Sequence, residues 1–189
     1  MILIFIKLCF NLINKFKELN NMKKTLVLYA RVCPTKSFHT QQIFEAFQKQ
    51  TNFVCVNLDA NQPFDVSKEQ EFILGFDRII LLFTLNWYNI PWSLSRYFIE
   101  VWRTFPFSLE NKEVYKIITT GANQDFYEKK DPNINNISVE EYLNNVNGML
   151  KKLRASIQKS FYYYGAINQD QMRLNQFVNE LIKYFKNQN

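Results

Sequence analysis

Apolar and polar positions alternate between two regimes along this chain. Short runs rich in β-branched and aromatic residues read as strands, and segments with apolar residues three and four apart read as helices. Thr25 to Ala30 (TLVLYA) is the first strand. A loop from Arg31 to Lys36, broken by Pro34, leads to Ser37, which can cap a helix over Phe38 to Lys49. Phe38, Ile43, Phe44 and Phe47 form that helix's apolar stripe. Phe53 to Leu58 is a second strand. Asn61 to Val66 is loop, and Ser67 caps a short helix ending near Gly75. Arg78 to Thr84 (RIILLFT) is a continuous apolar run suited to a buried third strand. Pro91 opens a helix that reaches Trp102. Glu113 to Thr120 is a fourth strand stopped by Gly121. A polar, Asn-rich loop spans Ala122 to Ser138, and a long helix runs from Val139 to Lys159. Phe161 to Ile167 is a fifth strand, and Gln169 to Lys186 a last helix.

Strands alternating with helices specify a parallel sheet covered on both faces. Five such units in one chain suit the doubly wound strand order 2-1-3-4-5, whose switch point lies between the first and third strands. Ligands of such sheets bind outside the carboxyl ends of the strands. The expectation is therefore an α/β, five-stranded, parallel sheet with helices on both faces and a site at one rim.

The totals narrow the chemistry. With 189 residues, 47% of them hydrophobic, there is material for one domain with a real core. The formal charge is +6, but lysines are scattered, and no basic stripe interleaved with aromatics marks a nucleic-acid groove. Cys9, Cys33 and Cys55 have unrelated spacings, which argues against a disulfide framework or metal knuckle and for a reducing cytosol. His39 is the single histidine, so a histidine-rich metal site is excluded. The first 21 residues stand apart. Their apolar part is too short to span a bilayer and lacks a secretory leader's features. They read as an upstream extension, with Met22 the natural start of the domain, or alternatively as an amphipathic helix.

Three loops follow the strands whose ends converge. The first, YARVCPTKSFHT, enters a helix whose free N–H groups and dipole favour an anion. Ser37 and Thr40 add hydroxyls, Arg31 and Lys36 can add charge, and Phe38 and His39 lie between the two hydroxyls. Taken alone, Ser37 is an ordinary cap. Glycine-rich dinucleotide and Walker-type loops are absent, and a phosphatase reading of Cys33 fails because His39 stands where that chemistry wants arginine. The second loop, TLNWYNIPW, places Leu85, Asn86, Trp87 and Tyr88 where they can cover a flat ring. The third, TTGANQDFY, offers Thr119, Thr120, Gly121 and Ala122 to a polar ring edge, and Gly121 permits close backbone approach.

Together these loops resemble one family. NWYNIPWSLSRYFIEVW is similar to the QWYSIPPLLKLWIDKVF type of segment in flavodoxin-like NAD(P)H:quinone oxidoreductases. These include DT-diaphorase, modulator-of-drug-activity and potassium-efflux ancillary flavoprotein types. Trp87-Tyr88, Ile90-Pro91, Leu94 and Phe98 to Val101 fall in register. TTGA at Thr119 to Ala122 resembles TTGG, and LYARVCPTKSFHT resembles the YAHPxxxxSxxN phosphate loop, with Ser37 on its serine and Thr40 on its asparagine. The likeness covers about Lys24 to Gln124 with spacing intact.

The resemblance implies a flavodoxin-like fold and a bound flavin, FMN in preference to FAD. Arg31 and Ser37 to Thr40 would face its phosphate, Leu85 to Tyr88 its ring, and Thr119 to Ala122 the other ring edge. It implies NADH or NADPH as donor, hydride transfer to flavin N5, a quinone-like acceptor and a cytosolic homodimer. The alternative it implies is a flavin-binding regulatory subunit in peripheral contact with a membrane transporter. Departures fall on the chemistry of proton supply. Arg31 replaces the family's histidine, Val32 the proline and Ala122 a glycine. Tyr127 stands for the catalytic tyrosine, with no histidine near it in sequence.

Overall fold

The structure, a computed structural model, describes residues 23–31, 38–60, 63–128 and 137–188. Ser37 and residues 1–21, on which two of the sequence expectations rest, lie outside that set.

Five parallel strands form one sheet in the order β2-β1-β3-β4-β5. They are β1 (Thr25–Ala30), β2 (Phe53–Asn57), β3 (Arg78–Leu85), β4 (Glu113–Thr120) and β5 (Ser156–Tyr163). The helices are α1 (Phe38–Gln48), α2 (Val66–Leu74), α3 (Trp92–Tyr97), α4 (Gln124–Glu128), α5 (Val139–Tyr142), α6 (Asn144–Lys152) and α7 (Gln171–Asn187). A wider π-turn over Phe98–Trp102 continues α3. Strands β1, β3 and β4 are buried along nearly their whole length because both of their faces are covered.

Side-chain alternation splits the core in two. Leu26, Leu28, Ile79, Leu81 and Phe83 pack with Leu94, Trp102, Val139 and Leu150 on one face. Val27, Tyr29, Ile80, Leu82 and Ile117 meet Ile43, Phe44 and Phe47 of α1 and Leu174, Leu181 and Phe185 of α7 on the other. At the amino ends of the strands, Arg78 is fully buried. Its guanidinium donates to the carbonyls of Phe185 (3.2 Å) and Gln188 (3.0 Å) and pairs with Glu113 at 3.4 Å.

β1 and β4 have the boundaries the pattern predicts, and the sheet order is the expected one. The other differences have local causes. Asp65, not Ser67, caps α2, accepting the Lys68 N–H at 3.3 Å, so Ser67 falls inside the first turn. The expected helix from Val139 to Lys159 breaks at Leu143 and ends at Lys152, where Arg154 turns the chain with φ 61°. β5 therefore occupies Ser156–Tyr163 and not Phe161 to Ile167. It is an edge strand, partly exposed along most of its length, so its half SIQKS carries no apolar run. The Asn-rich loop contains the short helix α4.

Candidate functional site

Parallel pairing brings the ends of β1, β3 and β4 to one rim. Ala30 aligns with Phe83, Thr84 with Thr119, and Leu85 with Thr120. Three hydroxyls join these elements. Thr84 Oγ1 lies 2.8 Å from Thr40 Oγ1 on α1 and 2.9 Å from Thr119 Oγ1 on β4. Thr40 and Thr119 are buried, so the ladder satisfies polar groups that would otherwise be desolvated without partners. It also fixes the start of α1 to the sheet.

Past β3, the chain reverses over two residues. Asn86 and Asn89 exchange both backbone hydrogen bonds at 2.9 Å, and the Asn89 side-chain amide donates to the Trp87 carbonyl at 3.0 Å. The central residues are Trp87 (φ 45°) and Tyr88 (φ 64°). This turn geometry favours glycine and asparagine. Two consecutive aromatics there hold strain of about 1–3 kcal/mol each. The strain leaves Trp87 84% exposed and lays Tyr88 against Tyr142, with ring centroids 4.8 Å apart. Phe126 of α4 lies nearly parallel to Tyr88 at 6.5 Å.

Leu85, Asn86, Trp87, Tyr88, Gly121, Ala122, Phe126 and Tyr127 line one open cavity of about 250 Å³. A Cβ built on Gly121 would meet open space, so the backbone there is accessible to an approaching ligand. Thr120 turns its hydroxyl inward to the Ala122 carbonyl at 2.9 Å, and Thr119 is held in the ladder. Tyr127 is buried at the cavity wall. Burial raises its phenol above the usual tyrosine range, and a hydrogen bond with Thr120 works the other way. A larger groove of about 400 Å³ lies between α1 and α7, lined by Lys49, Lys183 and aliphatic side chains near the ends of both helices.

The first-loop residues divide. Phe38 is exposed and Thr40 is in the ladder. His39 is only 3% exposed, stacks on Tyr163 at 5.1 Å, and its Nε2 has no hydrogen-bond partner among the described residues. The Arg173 guanidinium covers the Tyr163 ring at 4.7 Å. Burial, and then the Arg173 charge, lower the His39 pKa, so the imidazole is neutral near pH 7. Arg31 is engaged with Asp59, whose carboxylate accepts its backbone N–H at 2.9 Å and lies 3.9 Å from its Nε. Ser37 falls outside the described residues.

Four contributors were not singled out in the sequence: Thr84, Phe126, Tyr142 and Arg173. Thr84 had a signal, as the single hydroxyl ending an apolar run. The others sit on segments whose approach to the rim is set by packing. The cavity has an aromatic wall and a polar backbone edge, and His39 and Arg173 lie outside its lining, both against the Tyr163 ring. The cavity suits a flat heteroaromatic ring.

A family model described as flavodoxin-like fold matches residues 23–185. An uncharacterized NAD(P)H oxidoreductase of Bacillus subtilis, YdeQ, is 27% identical over 134 residues; the match covers 67% of this chain and 66% of that relative's length. Among solved structures, an NADPH-quinone reductase from P. pentosaceus superposes with a TM-score of 0.71 at 23% identity, covering 85% of this chain and 96% of the other. General stress protein 14 of Treponema denticola, solved in complex with FMN, superposes with a TM-score of 0.74 at 20% identity, covering 86% and 97%.

Proposed function

The chain belongs to the flavodoxin-like fold family, and from that premise we propose that it is a flavin-dependent NAD(P)H oxidoreductase passing two electrons to a quinone or similar acceptor. The observation that carries this reading is the single cavity shared by the strained Trp87-Tyr88 turn and the Gly121-Ala122 edge. The names of the relatives, an NAD(P)H oxidoreductase and an NADPH-quinone reductase, support the donor and the acceptor class.

The residues present fit FMN. Leu85 to Tyr88 would hold one side of its ring and Thr119 to Ala122 the polar edge. Thr40, His39 and Arg173 would receive the phosphate, and His39 Nε2, which has no hydrogen-bond partner among the described residues, would gain one. When bound, the flavin supplies hydride acceptance and electron release; the protein supplies position and field. Trp87 and Tyr88 exclude water from one ring face. Tyr127, uncharged near neutral pH, can hold a proton at its phenol oxygen beside the acceptor. Trp87, Trp92, Ile99 and Phe105 expose large apolar side chains between the β3 turn and the loop after α3. A second copy meeting that surface would wall the open cavity, so a homodimer is part of the proposal, as is residence in the cytosol.

Denaturing the purified protein and identifying what it releases tests the cofactor. The expected result is FMN, with yellow colour that bleaches on NADH or NADPH and returns on addition of a quinone. A colourless protein that refuses micromolar FMN ends this reading. Light scattering tests the dimer.

A further inference from the structure

Beneath both aromatic walls of the cavity lies a polar knot that the proposed reaction does not use. Lys116, at the middle of β4, is 1% exposed. Its ammonium donates to Glu140 Oε2 at 3.0 Å and to Asn147 Oδ1 at 2.6 Å. Asn147 donates back to Glu140 Oε2 at 3.0 Å. The other carboxylate oxygen of Glu140 accepts from Tyr162 at 2.6 Å and from Ser160. Both oxygens are thus filled by donors from β4, β5 and α6. One carboxylate on a four-residue helix ties three other elements together.

Two routes lead from this carboxylate to the cavity. In the first, Glu140 and Tyr142 share α5, and Tyr142 is the plate on which Tyr88 stacks at 4.8 Å. In the second, Tyr162 adjoins Tyr164 at 5.5 Å, and Tyr164 adjoins Tyr127 at 5.8 Å. Tyr88 and Tyr127 both line the cavity. Val139 and Leu143 already bury the apolar side of α5, so its docking does not need a charge. An ion pair between a buried ammonium and a carboxylate that is 42% exposed adds little stability, and its best use is to select one arrangement. Tyr88, held at φ 64°, needs such selection, because without its plate the turn can relax toward unstrained backbone.

We propose that Glu140 is a positioning residue for the cavity, acting through Tyr142 on the strained Trp87-Tyr88 turn and through Tyr162 and Tyr164 on Tyr127. It touches no ligand. The proposal deepens the flavin reading and rests on it only for its binding readout.

The experiment compares the full-length apo-protein with Glu140→Gln, Tyr142→Ala and the double variant. Glutamine keeps the shape but turns an NH₂ group toward hydroxyl or ammonium donors. Amide hydrogen exchange at Asn86 and Asn89, which close the turn, is read against Ile80 and Ile117 in the sheet. Glu140→Gln and Tyr142→Ala should each speed exchange at the two turn amides about tenfold more than in the sheet. The double variant should exchange there no faster than Tyr142→Ala alone, because one route is being cut twice. A uniform acceleration at all four amides, unchanged turn amides, or additive effects in the double variant would overturn the proposal. If Glu140→Gln does not fold, Lys116→Met with Glu140→Gln removes the stranded ammonium and takes its place in the comparison.

FMN titration of the same proteins supplies the second readout. Glu140→Gln should weaken FMN about tenfold. If the parent protein binds no FMN, the flavin reading fails while the exchange data still decide the positioning role. If the parent binds FMN and Glu140→Gln binds it equally well, positioning fails and the flavin reading stands.

Discussion

Thr40 on α1 and Thr84 on β3 meet hydroxyl to hydroxyl at 2.8 Å, and Thr84 reaches on to Thr119 at 2.9 Å. One side chain therefore sets the spacing between the helix at the proposed phosphate side of the site and the strand that ends at its proposed ring edge. Thr84→Val keeps the shape and removes both bonds. It should cost about 1–3 kcal/mol in urea unfolding, since buried hydroxyls lose a partner. Thr84→Ser, which keeps the oxygen, should stay within about 1 kcal/mol of the parent. FMN affinity should fall with Thr84→Val and survive with Thr84→Ser.

Trp87 separates stability from binding. The side chain is mostly in solvent, so Trp87→Ala should leave apo-protein stability almost unchanged while FMN affinity drops. The backbone makes a second statement. At φ 45°, alanine carries the same steric penalty as tryptophan and glycine does not. Trp87→Gly should therefore be more stable than Trp87→Ala by up to about 1 kcal/mol, with affinity low in both. Thermal unfolding of the two apo-proteins side by side checks the sign.

The legible parts of the molecule are those written in local periodicity. Thr25–Ala30 is apolar and Glu113–Thr120 rich in β-branched residues because both faces are covered, and that pattern marks them without knowledge of their neighbours. The same rule fails for β5, an edge strand whose exposed positions interrupt the apolar run, so its polar half was assigned to the preceding helix. At the site, Trp87, Tyr88, Gly121 and Tyr127 were found from loops that follow strands, and the structure brings them to one cavity. Tyr142 and Arg173 were not. Tyr142 reaches Tyr88 because Val139 and Leu143 pack α5 into the core, and Arg173 reaches Tyr163 because α7 packs on the sheet. Contacts set by packing between distant segments leave no trace in a one-dimensional pattern.

Arg78 tests whether the far end of the sheet matters to the rim. Its guanidinium is fully buried, with two carbonyls and Glu113 as partners. Arg78→Ala strands those acceptors and frees the end of α7, and should destabilise by about 3–5 kcal/mol. Arg78→Lys should recover only part, because an ammonium lacks the planar fork that reaches three acceptors. Whatever fraction folds should bind FMN as the parent does. A denaturant series scored by midpoint, with FMN titration at low denaturant, separates the two effects.

Glu140 gives the fold a definite acid response. Burial alone would raise its carboxyl, but donors from Ser160, Tyr162, Asn147 and Lys116 outweigh that and bring it from 4.5 down to about 2. The folded state thus holds the proton less tightly than the unfolded chain does. For a carboxyl depressed in this way, the stabilisation is fully present above about 4.5, where both states are ionised, and disappears as the pH falls through about 2. Protonating Glu140 removes the carboxylate charge that pairs with the buried Lys116 side chain. The stability gap between the parent and Glu140→Gln should therefore be constant from pH 7 to about 5 and narrow progressively below it. Asp65 and Glu141 are also depressed by local hydrogen bonds, but they are common to both proteins and cancel in the difference. Urea midpoints for both proteins at intervals between pH 7 and about 2.5 trace the gap. A gap that stays the same across the whole range would mean that the four donors do not hold the charged form of Glu140.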